Sequence, residues 1–418
     1  MEVNIKDGYK VTEVGVIPDD WEEVLLDSVA KRGSGHTPNK RHSEYWKGDI
    51  KWISLKDSNR FDNIYIYDTN EKITLAGIAN SSAVLHPSES VVLSRDAGVG
   101  KSAITKDVMA VSQHFFAWQC GLKLDNHFLY YWLQSQKPEF ERIANGTTIK
   151  TIGIPYFQKY KIPLPPLSEQ KAIAHALSDV DNLITAIDQL ITKKRNIKQG
   201  TMQQLLTGKK RLPGFNGKWE VKKLGDIAGI QRGASPRPID SPIWYDRTSS
   251  VGWVRISDIT ASNGRILEKT RDYLSQKGIL QSRFLSAGSL IMSICATVGI
   301  PVITNIDTCI HDGFLGLTKL NNIDQVFLYY KLKELENNFK SMGQTGSQNN
   351  LNTNLVKKYV ISLPPLPEQK AIAEIFNDID KEIEALEKNR DKYKAIKQGM
   401  MQELLTGKTR IQIPDFFC

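Results

Sequence analysis

The feature that most constrains this chain is a decapeptide written twice. "PPLSEQKAIA" begins at Pro165 and "PPLPEQKAIA" at Pro364, 199 residues later in a chain of 418. The match extends without a gap from Leu164 to Arg211, with more than half of the positions identical to Leu363–Arg410. "IKQG" at 197–200 returns at 396–399, and "LLTGK" at 205–209 returns at 404–408. A period this long over half the chain is a duplication, and it fixes the organisation before any single motif does.

The segments before each constant stretch are related more loosely. "FLYY" stands at 128–131 and 327–330, "VG" at 99–100 and 298–299, "WISLKD" at 52–57 against "WVRISD" at 253–258. The chain reads as two diverged units of ~150 residues, each followed by a constant segment of ~45 residues, in keeping with domain sizes for this length. The boundaries are 1–165, 166–211, 212–364 and 365–418. Two similar scaffolds with different surfaces, joined by one shared device, is the pattern of a chain that binds two different things the same way.

The constant segments have helical periodicity. Ile173, Leu177, Val180, Ile184, Ile187 and Ile191 are spaced 4, 3, 4, 3, 4, the seam of a coiled coil. The second copy supplies Ile372, Phe376, Ile379, Ile383 and Leu386, then Arg390 and Tyr393. Ser168 and Pro367 suit first turns, and neither Pro nor Gly interrupts the runs before Gly200 and Gly399. A narrow seam at both sites predicts that the two helices pair with each other, antiparallel. The competing expectation is that each helix packs only on its own globular unit. About 35 helical residues make a rod of roughly 50 Å, which suits two readers on half-sites about one DNA turn or slightly more apart.

The diverged units carry short β-like runs between turn residues: "DIKWISL", "SVVLSRD" and "HFFAWQC" in the first, "GWVRIS", "GSLIMSI" and "GFLGLTKL" in the second. "DNHFLYYWLQSQKPEFERI" and "VFLYYKLKELENNF" read as helical. Each unit is therefore a mixed α/β domain. The net charge of +9 favours a polyanionic partner. Cations and amides in the turns are candidate DNA-binding residues. They are Arg32, Thr37, Lys40, Arg41, Lys56, Arg95, Lys101, His114, Thr147 and Lys150 in the first unit. In the second they are Arg232, Arg237, Arg247, Arg255, Arg283, His311, Gln344, Ser347, Gln348 and Asn349. Arg and Lys neutralise phosphates or grip guanine, and Asn and Gln hold adenine. For each of them a solvated surface role is the alternative.

Catalytic motifs fail on inspection. "AGVGKSAI" at 97–104 lacks the first glycine of a nucleotide-binding loop, since that place is Arg95, and its counterpart "ATVGIPVI" has no Lys-Ser. A β-turn near a strand end is the reading favoured here. "LPPL" lacks the flanking groups of an adenine methyltransferase loop. His114 and His311, before "FFAW" and "GFLG", fall near corresponding positions. The histidines show no metal-protease spacing, and Cys120, Cys295, Cys309 and Cys418 are scattered. No metal site is expected. No apolar run spans a membrane, the N-terminus lacks a signal peptide's apolar stretch, and a cytoplasmic location is expected.

The chain resembles the DNA-specificity subunits of type I restriction–modification systems. The resemblance rests on "IPDDWEEVLLDSVA", "TP" at 37–38, "YWKGDIKWISLKD", "VGK" at 99–101 and "PLPPLSEQKAIAHAL", then "GKWEVKKLGDIA", "GWVRISDI", "VGI", "GFLGL" and "SLPPLPEQKAIAEIF". It implies two tandem target-recognition domains separated by two long antiparallel coiled-coil helices in a pseudo-twofold arrangement, with the C-terminal "LLTGKTRIQIPDFF" closing a circle onto the first domain. It implies double-stranded DNA as ligand, read as a bipartite asymmetric site. It implies two methyltransferase subunits and two motor–nuclease subunits as partners, with no membrane. S-adenosylmethionine, ATP and Mg would serve those partners, and this chain would carry no cofactor and no catalysis. The second unit departs from the "GxTP…YW" opening, with "RGASPRP" and "PIWYD" instead. Two other readings remain open: the specificity chain of another multisubunit restriction class, and a coiled-coil scaffold that binds proteins only.

Overall fold

The computed structural model describes residues 7–146, 150–261, 264–343 and 351–412. The chain forms two compact units, Met1–Asp188 with Lys388–Cys418, and Gln189–Glu387.

In the first unit a five-stranded sheet runs in the order Ala30–Ser34, Phe115–Cys120, Val91–Ser94, Ser102–Thr105, Tyr65–Ile66. A four-stranded sheet runs Glu71–Ile73, Trp46–Ile53, Met109–Val111, Leu85–His86. The second unit repeats both orders: Gly229–Arg232, Phe314–Thr318, Leu290–Ser293, Pro301–Thr304, Ile266–Leu267, then Asp272–Tyr273, Gly252–Val254, Thr308–Ile310, Arg283–Leu285. Each sheet mixes parallel and antiparallel pairs. Val91–Ser94 and Leu290–Ser293 are buried at every residue, which is why they read as unbroken apolar runs rather than alternations.

Helix Asn126–Ser135 starts on Asp125, whose carboxylate accepts from the backbone N–H groups of His127 and Phe128 at 2.9 Å. Asp324 caps Gln325–Glu334, accepting from the Phe327 N–H at 2.9 Å. Such caps satisfy donors that no helical carbonyl reaches. The apolar faces of these helices, Phe128, Leu129 and Tyr131 or Phe327, Leu328 and Tyr330, pack into the core of their own unit.

The constant segments are helices Leu167–Leu205 and Leu366–Leu404, each of 39 residues. They continue through Gly200 and Gly399. The stop lies at Gly208 and Gly407, whose φ values of +71° and +68° let the chain turn back. Within the first unit Lys397 pairs with Asp181 and Arg390 with Asp188; within the second, Lys194 pairs with Glu382 and Lys198 with Asp380. Numbers rise on one helix as they fall on the other, so the helices run antiparallel in both units.

The two expectations for the seam each hold over part of it. Ile173 and Leu177 belong to the first unit's core, together with Met401, Leu404 and Leu405 from the far end of the second helix. Ile372 and Phe376 share the second unit's core with Met202, Leu205 and Leu206. Farther along, Ile184, Ile187 and Ile191 are buried, whereas Val180, Ile379, Ile383 and Leu386 are half-buried.

The repeated decapeptide has a local explanation. The Gln170 side chain donates to the carbonyls of Lys123 and Pro165 and accepts from the backbone N–H of Asp125. Gln369 does the same with Asn322, Pro364 and Asp324. Glu169 is almost fully buried and takes Arg410 in a two-point contact, plus the Trp21 indole N–H at 3.0 Å. Glu368 takes Arg211 alike. The motif thus bolts each long helix to its unit. The segment after the second helix returns to the first unit, where the Tyr9 hydroxyl donates to the Gly407 carbonyl.

Candidate nucleic-acid interface

Four loops meet at one end of the first unit's sheets. His36 N–H donates to the Val111 carbonyl, Arg95 N–H to that of His114, Ala97 N–H to that of Lys150, and Ile152 N–H to that of Arg95. The segments around 36–38, 94–97, 112–114 and 150–152 are therefore laced together by backbone. The second unit laces the same four: Ala234 N–H donates to Ile310, Ile294 to Gly313, and Leu351 to Ile294. Glycine makes the first crossing possible. A Cβ on Gly35 would lie 1.7 Å from the Val111 oxygen, and one on Gly233 would lie 2.1 Å from the His311 oxygen. "GHTP" and "GASP" occupy the same place, so the second unit's opening differs in letters but keeps the turn.

Strand register sets the equivalences. Ala110 faces Trp52 and Cys309 faces Trp253, which matches Ser112 to His311, Gln113 to Asp312 and His114 to Gly313. The two histidines are therefore not counterparts; they sit two places apart in the same turn.

In the first unit His114 Nδ1 lies 2.7 Å from Asp96 Oδ2, and Thr151 donates to Oδ1 of the same carboxylate. Thr37 donates to Gln113 Oε1 at 2.5 Å. The guanidiniums of Arg32 and Arg95 lie over the Phe116 ring at 5.3 and 5.2 Å, and both side chains are mostly covered. Arg32 is also paired with Asp27 at 3.0 Å. Lys101 is paired with Asp62 at 2.7 Å and Lys56 with Glu71 at 2.8 Å. Lys40 lines an open cleft of about 570 Å³ with Trp46, Lys47, Thr69, Asn70, Glu71 and Lys72. Arg41 and Lys150 are exposed.

The "AGVGKSAI" loop joins Val91–Ser94 to Ser102–Thr105, two antiparallel neighbours. A phosphate cradle needs the loop to open a helix. Here it opens a strand, in keeping with the turn reading.

In the second unit the loop end is strongly basic. Arg232 Nε donates to the Asp312 carbonyl at 2.7 Å, and Arg237 to Asp312 Oδ2 at 3.1 Å. Arg255 donates to the Tyr245 hydroxyl at 2.7 Å and lies 4.8 Å above the buried Trp253 ring. Arg283 is exposed, with Nε 3.5 Å from the Arg232 carbonyl, and Arg247 is exposed on a neighbouring turn. Burial lowers the pKa of His311; Asp312 opposes this, and the charges of Arg255, Arg237 and Arg232 reinforce it. Thr147, Gln344, Ser347, Gln348 and Asn349 lie outside the described residues.

Sequence reasoning passed over Gln113 and Asp312, the most exposed places of this turn. Both stand two residues before the phenylalanine that opens the next buried strand, a placement that marks a turn but not a base reader. Among the described residues no group of side chains is arranged to hold a metal, and Cys120, Cys295 and Cys309 are free thiols. No helix among them is long and apolar enough to cross a membrane.

The family model described as "Type I restriction modification DNA specificity domain" matches residues 18–198 and again 216–395. The chain belongs to this family. The two matched repeats are its DNA specificity domains, and each match ends inside a long helix, at residue 198 of Leu167–Leu205 and at residue 395 of Leu366–Leu404. The chain is 27% identical over 424 residues to the type I restriction enzyme MjaVIII specificity subunit of Methanocaldococcus jannaschii, covering 96% of this chain and 95% of that one. It is 23% identical to the EcoKI specificity subunit of Escherichia coli, over 96% and 92% of the two chains. In fold it is similar to the S subunit of a type I system from M. genitalium, at a TM-score of 0.57 and 17% identity over 94% and 97% of the chains. It is also similar to a chain solved in work on complex assembly and conformational transition of the type I system, at a TM-score of 0.62 and 19% identity over 94% and 99%.

Proposed function

We propose that this chain is the noncatalytic reader of a type I complex, each specificity domain contacting one half of a bipartite, asymmetric duplex site through its four laced loops. One observation carries the reading. Both domains lace the same four loops on the same strand orders, yet place different hydrogen-bonding side chains there: Gln113 and His114 in one, His311 and Asp312 in the other. A constant scaffold with altered donors and acceptors is what two different base sequences require. The antiparallel helices set the gap. Two methyltransferase subunits dock on the chain, and two motor–nuclease subunits join for restriction. S-adenosylmethionine, ATP and Mg are used by those partners, in the cytoplasm.

The test is a methylome. The chain is expressed with its cognate methyltransferase subunit in a methylation-free host, and N6-methyladenine is mapped genome-wide. A two-part motif with a fixed gap is expected. An assembled complex that yields no motif would sink the reading and favour a protein-binding scaffold.

A further inference from the structure

We propose that Gln113 reads an adenine in the half-site of the first domain, with Thr37 and His114 as its positioning residues. The proposal rests on the DNA-reading role above and names the residue that performs part of it.

Gln113 stands at the tip of the turn between Met109–Val111 and Phe115–Cys120, two strands rooted in the core. The side chain is exposed, yet it is held at both ends. Its Oε1 accepts from the Thr37 hydroxyl at 2.5 Å, and its Nε2 lies 3.3 Å from His114 Nε2. The histidine is itself oriented. Its Nδ1 donates to Asp96 Oδ2 at 2.7 Å, so in the neutral ring Nε2 is the acceptor and takes an amide N–H of Gln113. Asp96 is largely covered, only 14% exposed, and its other oxygen accepts from Thr151. A covered carboxylate thus dictates, through one imidazole, which way an exposed amide faces.

An exposed glutamine ordinarily samples many rotamers. Holding one against solvent serves recognition, because a reader set in advance loses less freedom on binding. With these two contacts made, the amide keeps one N–H and one oxygen lone pair. A donor beside an acceptor matches the N7 and N6 edge of adenine in the major groove. Guanine offers two acceptors there, cytosine a donor, and thymine an acceptor beside a methyl group. The equivalent place in the second domain supports the assignment. Asp312 occupies the same turn, and its backbone N–H meets the Ser235 hydroxyl at 3.3 Å where Gln113 meets Thr37. Its side chain accepts only, and it holds Arg237. One position with two hydrogen-bond codes is what a specificity position requires.

The test compares wild type, Gln113→Ala, Gln113→Glu and Thr37→Val, each assembled with the methyltransferase subunit. Methylomes are mapped, and binding is measured on duplexes substituted one base pair at a time. Wild type must first give a bipartite motif; without one, the DNA-reading role fails before any variant is compared. Given a motif, Gln113→Ala is expected to relax one adenine position in one half-site, cutting discrimination there by about 5- to 150-fold. The other half-site and the gap stay unchanged. Thr37→Val weakens discrimination at the same position, and Gln113→Glu, of nearly the same shape, moves preference there toward cytosine. An unchanged motif in Gln113→Ala, a uniform loss over all positions, or relaxation at a position that is not adenine overturns the proposal.

Discussion

Lys397 donates to Asp181 across 2.7 Å, and the same contact returns 199 residues apart, where Lys198 donates to Asp380. In the first unit the Tyr131 hydroxyl donates to the second oxygen of Asp181 at 2.8 Å, and the Lys397 ammonium sits 5.3 Å from the Tyr131 ring centre. In the second unit Tyr330 serves Asp380, with Lys198 over its ring. Each triad ties a domain helix to both long helices where the apolar seam thins. Burial holds the hydroxyls of Tyr131 and Tyr330 well above the ordinary phenol range. Both keep the proton they donate.

Asp181→Ala leaves Lys397 and Tyr131 facing a gap while both remain mostly covered. We expect a loss of about 1–3 kcal/mol of stability, and about 1 kcal/mol for Tyr131→Phe, which removes one donor. Urea unfolding of the two variants checks this. A double variant as stable as Asp181→Ala alone would show that the tyrosine acts only through the carboxylate.

Arg410 offers the clearest test of the returning C-terminal segment. It binds Glu169 at 2.7 and 2.8 Å and Asp20 at 2.8 Å, and its hydrogen bond is the leading cause that lowers the Asp20 pKa. Arg410→Ala leaves the almost fully buried Glu169 carboxylate with the Trp21 indole as its remaining side-chain hydrogen-bond donor among the described residues. A loss of about 2–4 kcal/mol is expected. Denaturant unfolding followed by tryptophan fluorescence checks this. A fall under about 0.5 kcal/mol would mean that solvent replaces the arginine.

His86 is expected to make the first domain acid-sensitive. It is buried beneath Gly33, its Nε2 has no hydrogen-bond partner among the described residues, and burial pushes its pKa down to about 4. A folded-state pKa below the unfolded value of about 6.5 means the unfolded chain binds the proton more tightly. Stability from keeping this ring neutral is therefore full above pH 6.5 and lost as pH falls toward 4, by up to about 3 kcal/mol. The equivalent residue of the second domain is Leu285. His86→Leu should flatten the decline between pH 6.5 and 4 in a melting-temperature series, and an identical slope in both proteins would assign the acid sensitivity elsewhere.

Periodicity made the architecture legible, and tertiary context hid the details. The duplication and the 3–4 spacing located both long helices, because an apolar seam is a local pattern. Their C-terminal ends were left open beyond Gly200 and Gly399: a solvent-facing glycine costs a helix only about 1 kcal/mol, so the helix continues, and the chain turns at Gly208 where φ is positive. Ile173 and Phe376 satisfy a heptad and a domain core equally well, so spacing alone did not tell which partner they meet. At the site, cations were legible as a set, but their partners were not. Arg32 finds Asp27 and Lys101 finds Asp62 only once the strands are in register. Gln113 was passed over because a lone glutamine carries no signal until Thr37 and His114 are brought to its two ends.

The second domain's loop end should govern salt dependence. Arg237 is 70% exposed, and Arg283 is exposed nearby with its Nε 3.5 Å from the Arg232 carbonyl. Both charges sit where loops 233–236 and 311–313 meet, beside Arg232, whereas the first domain's Arg32 and Arg95 are mostly covered. Each phosphate neutralised contributes about −0.9 to the slope of log binding constant against log salt. Arg237→Ala with Arg283→Ala should therefore reduce the slope of the assembled complex by roughly 2 and weaken binding alike on every sequence. A methylome with the motif unchanged, beside a shallower slope, is the expected pair of results. If the slope holds while one base position relaxes, these arginines grip base edges and the phosphate contacts of this domain lie elsewhere.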